Sequence, residues 1–362
     1  MIATVSTPEV LNRQVRLKER PTGMPDAGTW TFTETPVPVP KDGEFAVKNL
    51  FISIDPAMRV WLNAPGSEVV HVTAAINIGD VMRASVIGRV TTSRHVDFME
   101  GDLVAGRLGV QEYAVCNGFD MIGQAVVPVT AHIPGMPGAA GTVPASAYLG
   151  VLGVPGLTGY FGLLDVGKPQ PGETVVVSGA TGAVGSVAGQ VARIKGCRVV
   201  GIAGGPEKCR LLVETLGFDA AVDYRAGNVE AQLAAACPKG IDVYFDNTGG
   251  QILDAALANL AVRGRVVMCG SMSQYTTTGP VVGPANYRSL LLKRGRMEGF
   301  IVYDYATQYE AARAELSGWL ADGSLIARED VMEGIDSFPR ALNRVLAGEK
   351  FGKLLIRLTD GN

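Results

Sequence analysis

The residues best suited to chemistry begin with a run of glycines. Gly179-Ala180-Thr181-Gly182-Ala183-Val184-Gly185 follows the apolar run TVVVS (174–178) and leads into a helically spaced stretch, 184–195. A glycine turn that leaves a strand and opens a helix lets backbone N–H groups approach a pyrophosphate, whose charge the helix N-terminus favours. Gly182 permits the close approach and Gly185 the tight helix–strand packing. A lone G-x-x-G-x-x-G is often only a turn. Here further strand–helix units stand behind it, so we expect a dinucleotide.

Which dinucleotide is set about 20 residues on, where NAD binders place Asp or Glu at the end of the second strand to hold the ribose hydroxyls. This chain has Ala203-Gly204-Gly205 there and no acid until Glu207; Lys208 follows, and Tyr224 and Arg225 come after the third strand. With no repelling carboxylate, and with a cation and a phenol in reach, a 2′-phosphate is the better guest, so NADP(H) is expected. The plainer reading of Lys208 is a solvated helix lysine.

Metal chemistry has little to work with. Only His71, His95 and His132 are present, without metal-ligand spacing, and Cys116, Cys197, Cys209, Cys237 and Cys269 are scattered with no C-x-x-C pair. No metal is expected, and no disulfide framework. No G-x-S-x-G elbow appears either. Hydroxyls do occur in CGSMSQY: Ser271, Ser273 and Tyr275 follow a late strand, and ligands of open parallel sheets bind beyond the carboxyl ends of strands.

The elements that must hold these groups form two domains in a chain of 362 residues. The net charge of −3 argues against a nucleic-acid partner, and 47% hydrophobic with 19% charged residues is a globular composition. The N-terminus lacks an apolar leader core, and the charge-free stretch 121–164 holds too many prolines and glycines for a spanning helix, so a cytoplasmic protein is expected. Residues 1–130 read as short strands, with apolar runs at 45–54 and 81–90 broken by Pro and Gly clusters, which suggests an irregular β-barrel or sandwich. From 173 onward strands alternate with helices: strands at 174–178, 197–203, 219–223, 241–246 and 264–270, and helices at 184–195, 206–216, 228–237 and 251–260. That alternation is the pattern of a doubly wound parallel sheet, an α/β fold. A helix at 305–322, another near 338–347 and a strand at 353–358 close the chain.

The fragments GETVVVSGATGAVGSVAGQVARIKGCRVVGIAGGPEKC, FDNTGGQILDAAL, CGSMSQY, GFIVYDY and GEKFGKL resemble the zinc-independent branch of the medium-chain dehydrogenase/reductases. The similarity is to the NADPH-dependent alkenal/one double-bond reductases, the group of prostaglandin and curcumin reductases. ISIDPAMR, VIGRVTTSRHVDFMEGDLV, VQEYAV and LGVLGVPGLTGYFGLLDVG extend it over nearly the whole chain. The resemblance implies a GroES-like β-barrel domain (1–135 and 304–362) and a Rossmann domain (136–303), usually in a homodimer. It also implies reduction of an α,β-unsaturated aldehyde or ketone by hydride transfer to the β-carbon and protonation of the enolate. Tyr275 would hydrogen-bond the carbonyl oxygen, where a donor placed at the developing oxyanion lowers the barrier. Carried over by position, Ala180, Thr181, Gly182, Ala183, Val184 and Gly185 would hold the pyrophosphate, with Lys208 and Tyr224 at the 2′-phosphate. Asn247 would lie beside the cofactor. Cys269, Gly270, Ser271, Met272, Ser273 and Tyr275, with Phe300, Ile301 and Val302, would line the nicotinamide end.

Two positions depart from the family pattern. Lys350 stands in GEKFGK where relatives have the asparagine of G-x-N-F-G-K, so it either reaches a phosphate or that contact is lost. Ala57 replaces the tyrosine of D-P-Y-M-R, which touches substrate in relatives. A larger, more apolar pocket would follow, unless Met58 or Trp61 fills the gap. A quinone reductase of the same superfamily and a non-catalytic NADPH-binding protein are the alternatives.

Overall fold

The computed structural model describes residues 10–66, 75–129 and 143–358. The chain divides into two compact units, residues 1–130 with 331–343 and 355–362, and residues 131–330 with 344–354.

In the first unit β1 (Leu11–Leu17) and β2 (Trp30–Pro36) form an antiparallel pair. β3 (Phe45–Ser53) pairs antiparallel with β4 (Val86–Ser93) and β6 (Tyr113–Cys116), and β4 continues to β5 (Leu103–Gly106) and β7 (Val127–Pro128). A short helix, α1 (Ala57–Trp61), follows β3. Phe45, Val47, Ile52, Val86, Ile87 and Val104 are buried here. The apolar run 81–90 is not one strand. Only its second half pairs as β4, while Val81 bridges to Arg16 and the Met82 N–H donates to the Val15 carbonyl at 2.8 Å. A continuous apolar run reports burial, and the chain can turn within it.

The second unit is built on a six-stranded parallel sheet. Its strands are β8 (Thr174–Ser178), β9 (Arg198–Ala203), β10 (Ala220–Asp223), β11 (Ile241–Asp246), β12 (Leu260–Met268) and β13 (Arg296–Gly299), in the spatial order β10-β9-β8-β11-β12-β13. That is the 3-2-1-4-5-6 order of a Rossmann sheet, whose direction of winding reverses between β8 and β11. Side chains of a strand alternate between faces. Val175, Val177, Val243 and Phe245 accordingly enter one apolar cluster and Val176 and Tyr244 the other, so both faces are covered. On the first face lie α2 (Val154–Phe161) and α3 (Ala183–Ile194), whose Leu157, Phe161, Val187 and Val191 join that cluster. α4 (Pro206–Arg210) continues as a π-turn, Leu211–Thr215, in place of one regular helix. α5 (Val229–Ala236) and α6 (Gly250–Ala258) cover the other face, and α7 (Arg288–Lys293) precedes β13.

The tail divides differently from the boundary expected at 304. α8 (Tyr309–Ala321) and the chain to Asp330 belong to the second unit, because Ala312, Leu316 and Leu325 enter the same cluster as Phe161 and Val187. β14 (Glu329–Glu333) and α9 (Phe338–Leu346) follow, and β15 (Lys353–Arg357) pairs with β3, Leu355 opposite Ser53. The segment 344–354, from the last turn of α9 into the start of β15, belongs to the second unit.

Candidate active site

The glycine turn sits at the reversal point of the sheet. Gly179 has φ +57°, a conformation that favours glycine. A Cβ on Gly185 would come within 2.5 Å of the Gly179 carbonyl oxygen, so only glycine lets α3 approach β8 this closely. Gly182 precedes α3 in an extended conformation, and no side chain caps the helix. An uncapped helix start presents N–H groups and the positive end of the helix dipole. Ala180 and Thr181 are buried, while Gly182, Ala183 and Val184 retain exposure.

Lys208 is not a solvated helix lysine. It is 7% exposed on α4, its Nζ donates to the Gly348 carbonyl at 2.5 Å, and it lies 5.1 Å from the Phe351 ring. Burial, and then Arg225, push its pKa below the ordinary lysine value, whereas Asp330 and Glu349 pull it up. A crowded, desolvated cation of this kind is stabilised by a bound anion. The Tyr224 hydroxyl lies 2.7 Å from where a Cβ on Gly204 would stand. Asp223, at the end of β10, is occupied by backbone donors of two loops, its Oδ1 accepting from the Gly205 N–H at 2.7 Å and the Arg225 N–H at 2.9 Å.

The end of β11 ties the glycine turn to the hydroxyl-rich segment. The Asn247 side chain donates to the Ser178 carbonyl at 2.7 Å, and the Asn247 carbonyl accepts from the Met272 N–H at 3.2 Å. Cys269 and Gly270 N–H groups both donate to the Asp246 carbonyl, and the Ser273 hydroxyl donates to the Thr248 carbonyl at 2.7 Å. Tyr275 is thereby folded back, its hydroxyl 3.2 Å from where a Cβ on Gly270 would stand. Burial raises the Tyr275 pKa, with a hydrogen bond from the Ser271 backbone opposing, so the phenol stays protonated and able to donate. Burial likewise pushes the Cys269 thiol up to about 12, which leaves it a small apolar group rather than a nucleophile.

Asp246 itself was not among the residues expected to matter. It is 2% exposed, and its Oδ1 accepts from Ser178 Oγ at 3.0 Å and from Tyr244 Oη, the Thr248 N–H and the Gly249 N–H, each at 2.9 Å. The available signal was an acid ending an apolar strand directly before N-T-G-G.

Two expected positions, Met58 and Val302, are placed differently. Met58 is wholly buried in the core of the first unit and offers no face to a ligand, whereas Ala57 beside it is exposed. Val302 is 7% exposed and packs in the core, so only its backbone could meet a cofactor. Phe300 is half-buried against Gly162 and Ile301 is exposed. Among the described residues no group of three His, Cys, Asp or Glu side chains is arranged to hold a metal ion. His95 packs against Phe45 and Phe98, and its Nδ1 accepts from the Asp97 N–H; His71 and His132 lie outside the described residues.

A Rossmann sheet with a glycine turn at its reversal point, in a chain that also forms an antiparallel N-terminal unit, defines a dinucleotide-dependent oxidoreductase of the medium-chain type. Residues 13–123 match a family described as the N-terminal domain of oxidoreductase, and residues 183–318 one described as zinc-binding dehydrogenase. The NADPH-dependent curcumin reductase of Escherichia coli (strain K12) is 38% identical, over 96% of this chain and 97% of its own. The 2-alkenal reductase (NADP(+)-dependent) of Nicotiana tabacum is 36% identical, over 97% and 98%. Among solved structures, CurA from Vibrio vulnificus in complex with NADPH superposes with a TM-score of 0.86 at 37% identity, covering 96% of this chain and all of that one. The chain belongs to the zinc-independent NADP-dependent reductase branch of the medium-chain dehydrogenase/reductases.

Proposed function

We propose that this enzyme reduces the C=C bond of α,β-unsaturated aldehydes and ketones with NADPH. The observation that carries the reading is the pair of ties at the end of β11, through which Asn247 joins the glycine turn to the segment bearing Tyr275. Bound NADPH supplies a hydride to the β-carbon of the acceptor. The Tyr275 hydroxyl, held protonated by burial, donates a hydrogen bond to the carbonyl oxygen as negative charge develops there, and the enolate then takes a proton from solvent at the α-carbon. Ala180 through Gly185 cradle the pyrophosphate, and Lys208 with Tyr224 receives the 2′-phosphate. Cys269 through Ser273, with Phe300, Ile301 and the Val302 backbone, border the nicotinamide. The names of the curcumin and 2-alkenal reductases support this choice of reaction.

The test follows the loss of NADPH absorbance with a panel of 2-alkenals, cyclic and aryl enones, and quinones. Enone-dependent oxidation with a saturated carbonyl product is expected. Oxidation with quinones alone, or tight NADPH binding without turnover on any acceptor, overturns the reading.

We further propose a homodimer. β13 ends the parallel sheet, and Val281, Val282, Tyr287, Leu291 and Leu292 are all more than half exposed. Apolar surface of this kind beside an open strand edge is ordinarily covered, and a second copy is the partner we assign. Light scattering at micromolar concentration tests it, with the monomer mass as the contrary result. The five free thiols suit the reducing cytoplasm.

A further inference from the structure

We propose that Lys350 supplies the side-chain cation for the cofactor pyrophosphate, a role separate from that of Lys208 at the 2′-phosphate. The assignment rests on the NADPH reading above. Segment 348–352 lies along the phosphate-binding elements and is pinned at both ends. At one end the Gly348 carbonyl accepts from Lys208. At the other, Gly352 bridges to Gly182 in parallel, and its N–H donates to the Thr181 carbonyl at 3.0 Å. Between them the Phe351 N–H donates to Asp330 Oδ2 at 3.3 Å. Lys350 is thus fixed by its backbone against the glycine turn. Its Nζ donates to the Gly352 carbonyl at 3.1 Å and lies 3.4 Å from where a Cβ on Gly182 would stand.

That ammonium stands over the start of α3, a twelve-residue helix with no capping side chain and no charged residue in its first turn. The helix offers N–H donors and a partial positive charge but no formal one. A pyrophosphate approaching Gly182 would meet Lys350 directly, and a charge-assisted contact adds to the backbone donors. The two lysines then divide the ligand. Lys208 answers to the 2′-phosphate, and Lys350 to the part that NADPH and NADH share.

Three ligands separate these roles: NADPH, ADP-ribose, which keeps the pyrophosphate and lacks the 2′-phosphate, and adenosine 2′-phosphate, which does the reverse. Dissociation constants are measured by calorimetry on the wild type, Lys350→Ala and Lys350→Arg, with the thermal midpoint of each ligand-free protein as a check on folding. Lys350→Ala should weaken NADPH and ADP-ribose alike, each about tenfold, and leave adenosine 2′-phosphate unchanged. Lys350→Arg should recover most of the loss. Unchanged ADP-ribose binding in Lys350→Ala, or an equal loss for adenosine 2′-phosphate, overturns the assignment while the NADPH reading stands. A wild type that binds neither NADPH nor ADP-ribose overturns both.

Discussion

At Tyr275 the relevant property is that its hydroxyl keeps its proton. On the proposed mechanism, removing the hydroxyl deletes one donor to the oxyanion, a contact made chiefly in the transition state. Tyr275→Phe is expected to lower kcat on enones by about 10²-fold while the NADPH dissociation constant holds. Full turnover in that variant would make the tyrosine structural. Lys208 belongs to the same scale. Lys208→Ala should cost about 10–100-fold in NADPH affinity and leave NADH unaffected, and equal losses for both would remove it from the 2′-phosphate. Ala57 is the position we propose to bear on acceptor range. Ala57→Tyr adds bulk and a polar group at an exposed position, so kcat/KM for aryl and cyclic enones should fall while short 2-alkenals are spared. A uniform effect on all acceptors would show that the position has no part in acceptor choice.

Among the elements, the end of β11 matters most, because Asp246 anchors what precedes the cofactor turn and what carries Tyr275. Burial is the largest influence on its carboxyl and raises its pKa, although four donors oppose it. The folded state therefore holds this proton more tightly than the unfolded chain, and the Asp246 contribution to stability falls as pH rises through the folded value. Asp246→Asn keeps an Oδ1 acceptor and carries no charge. In urea unfolding, the stability of this variant relative to wild type should increase between pH 4 and pH 7. Asp246→Ala leaves four buried donors short of an acceptor and should be destabilised by about 1–3 kcal/mol or more at both pH values. A wild type that gains on the Asn variant as pH rises would show the carboxylate to be favoured when charged.

The parallel sheet was legible from sequence because β8 and β11 are short, largely apolar runs that lead into glycine-bearing turns, and their ends came out where TVVVS and IDVYFD stop. What was not legible is contact made at long range. Nothing near Lys208 announces that a carbonyl 140 residues away accepts from its ammonium. Met58 read as a pocket residue because its neighbour Ala57 departs from the family pattern, yet the buried side of α1 takes it into the core. The packing of α8 against the parallel sheet is a contact of the same long-range kind. At the scale of the whole molecule, the absence of a ligand cluster among the described residues and the zinc-independent branch lead to one expectation. Dialysis against strong chelators should leave enone turnover unchanged, and stoichiometric zinc with chelator-sensitive activity would contradict it.

The strap formed by 348–352 also sets a schedule for the newly made chain. Synthesis runs from the N-terminus at about 5–20 residues per second. The 140 residues separating Lys208 from Gly348 thus take about 7–28 s to appear, long after the first βαβ units of the sheet have left the ribosome. During that interval the glycine turn exists without its closing segment, so nascent chains should ignore a 2′,5′-ADP resin until residue 352 has emerged. Ribosome-stalled chains of graded length would show it: retention beginning only past 352 is expected, and retention of chains ending near 300 would mean that the turn binds without the strap.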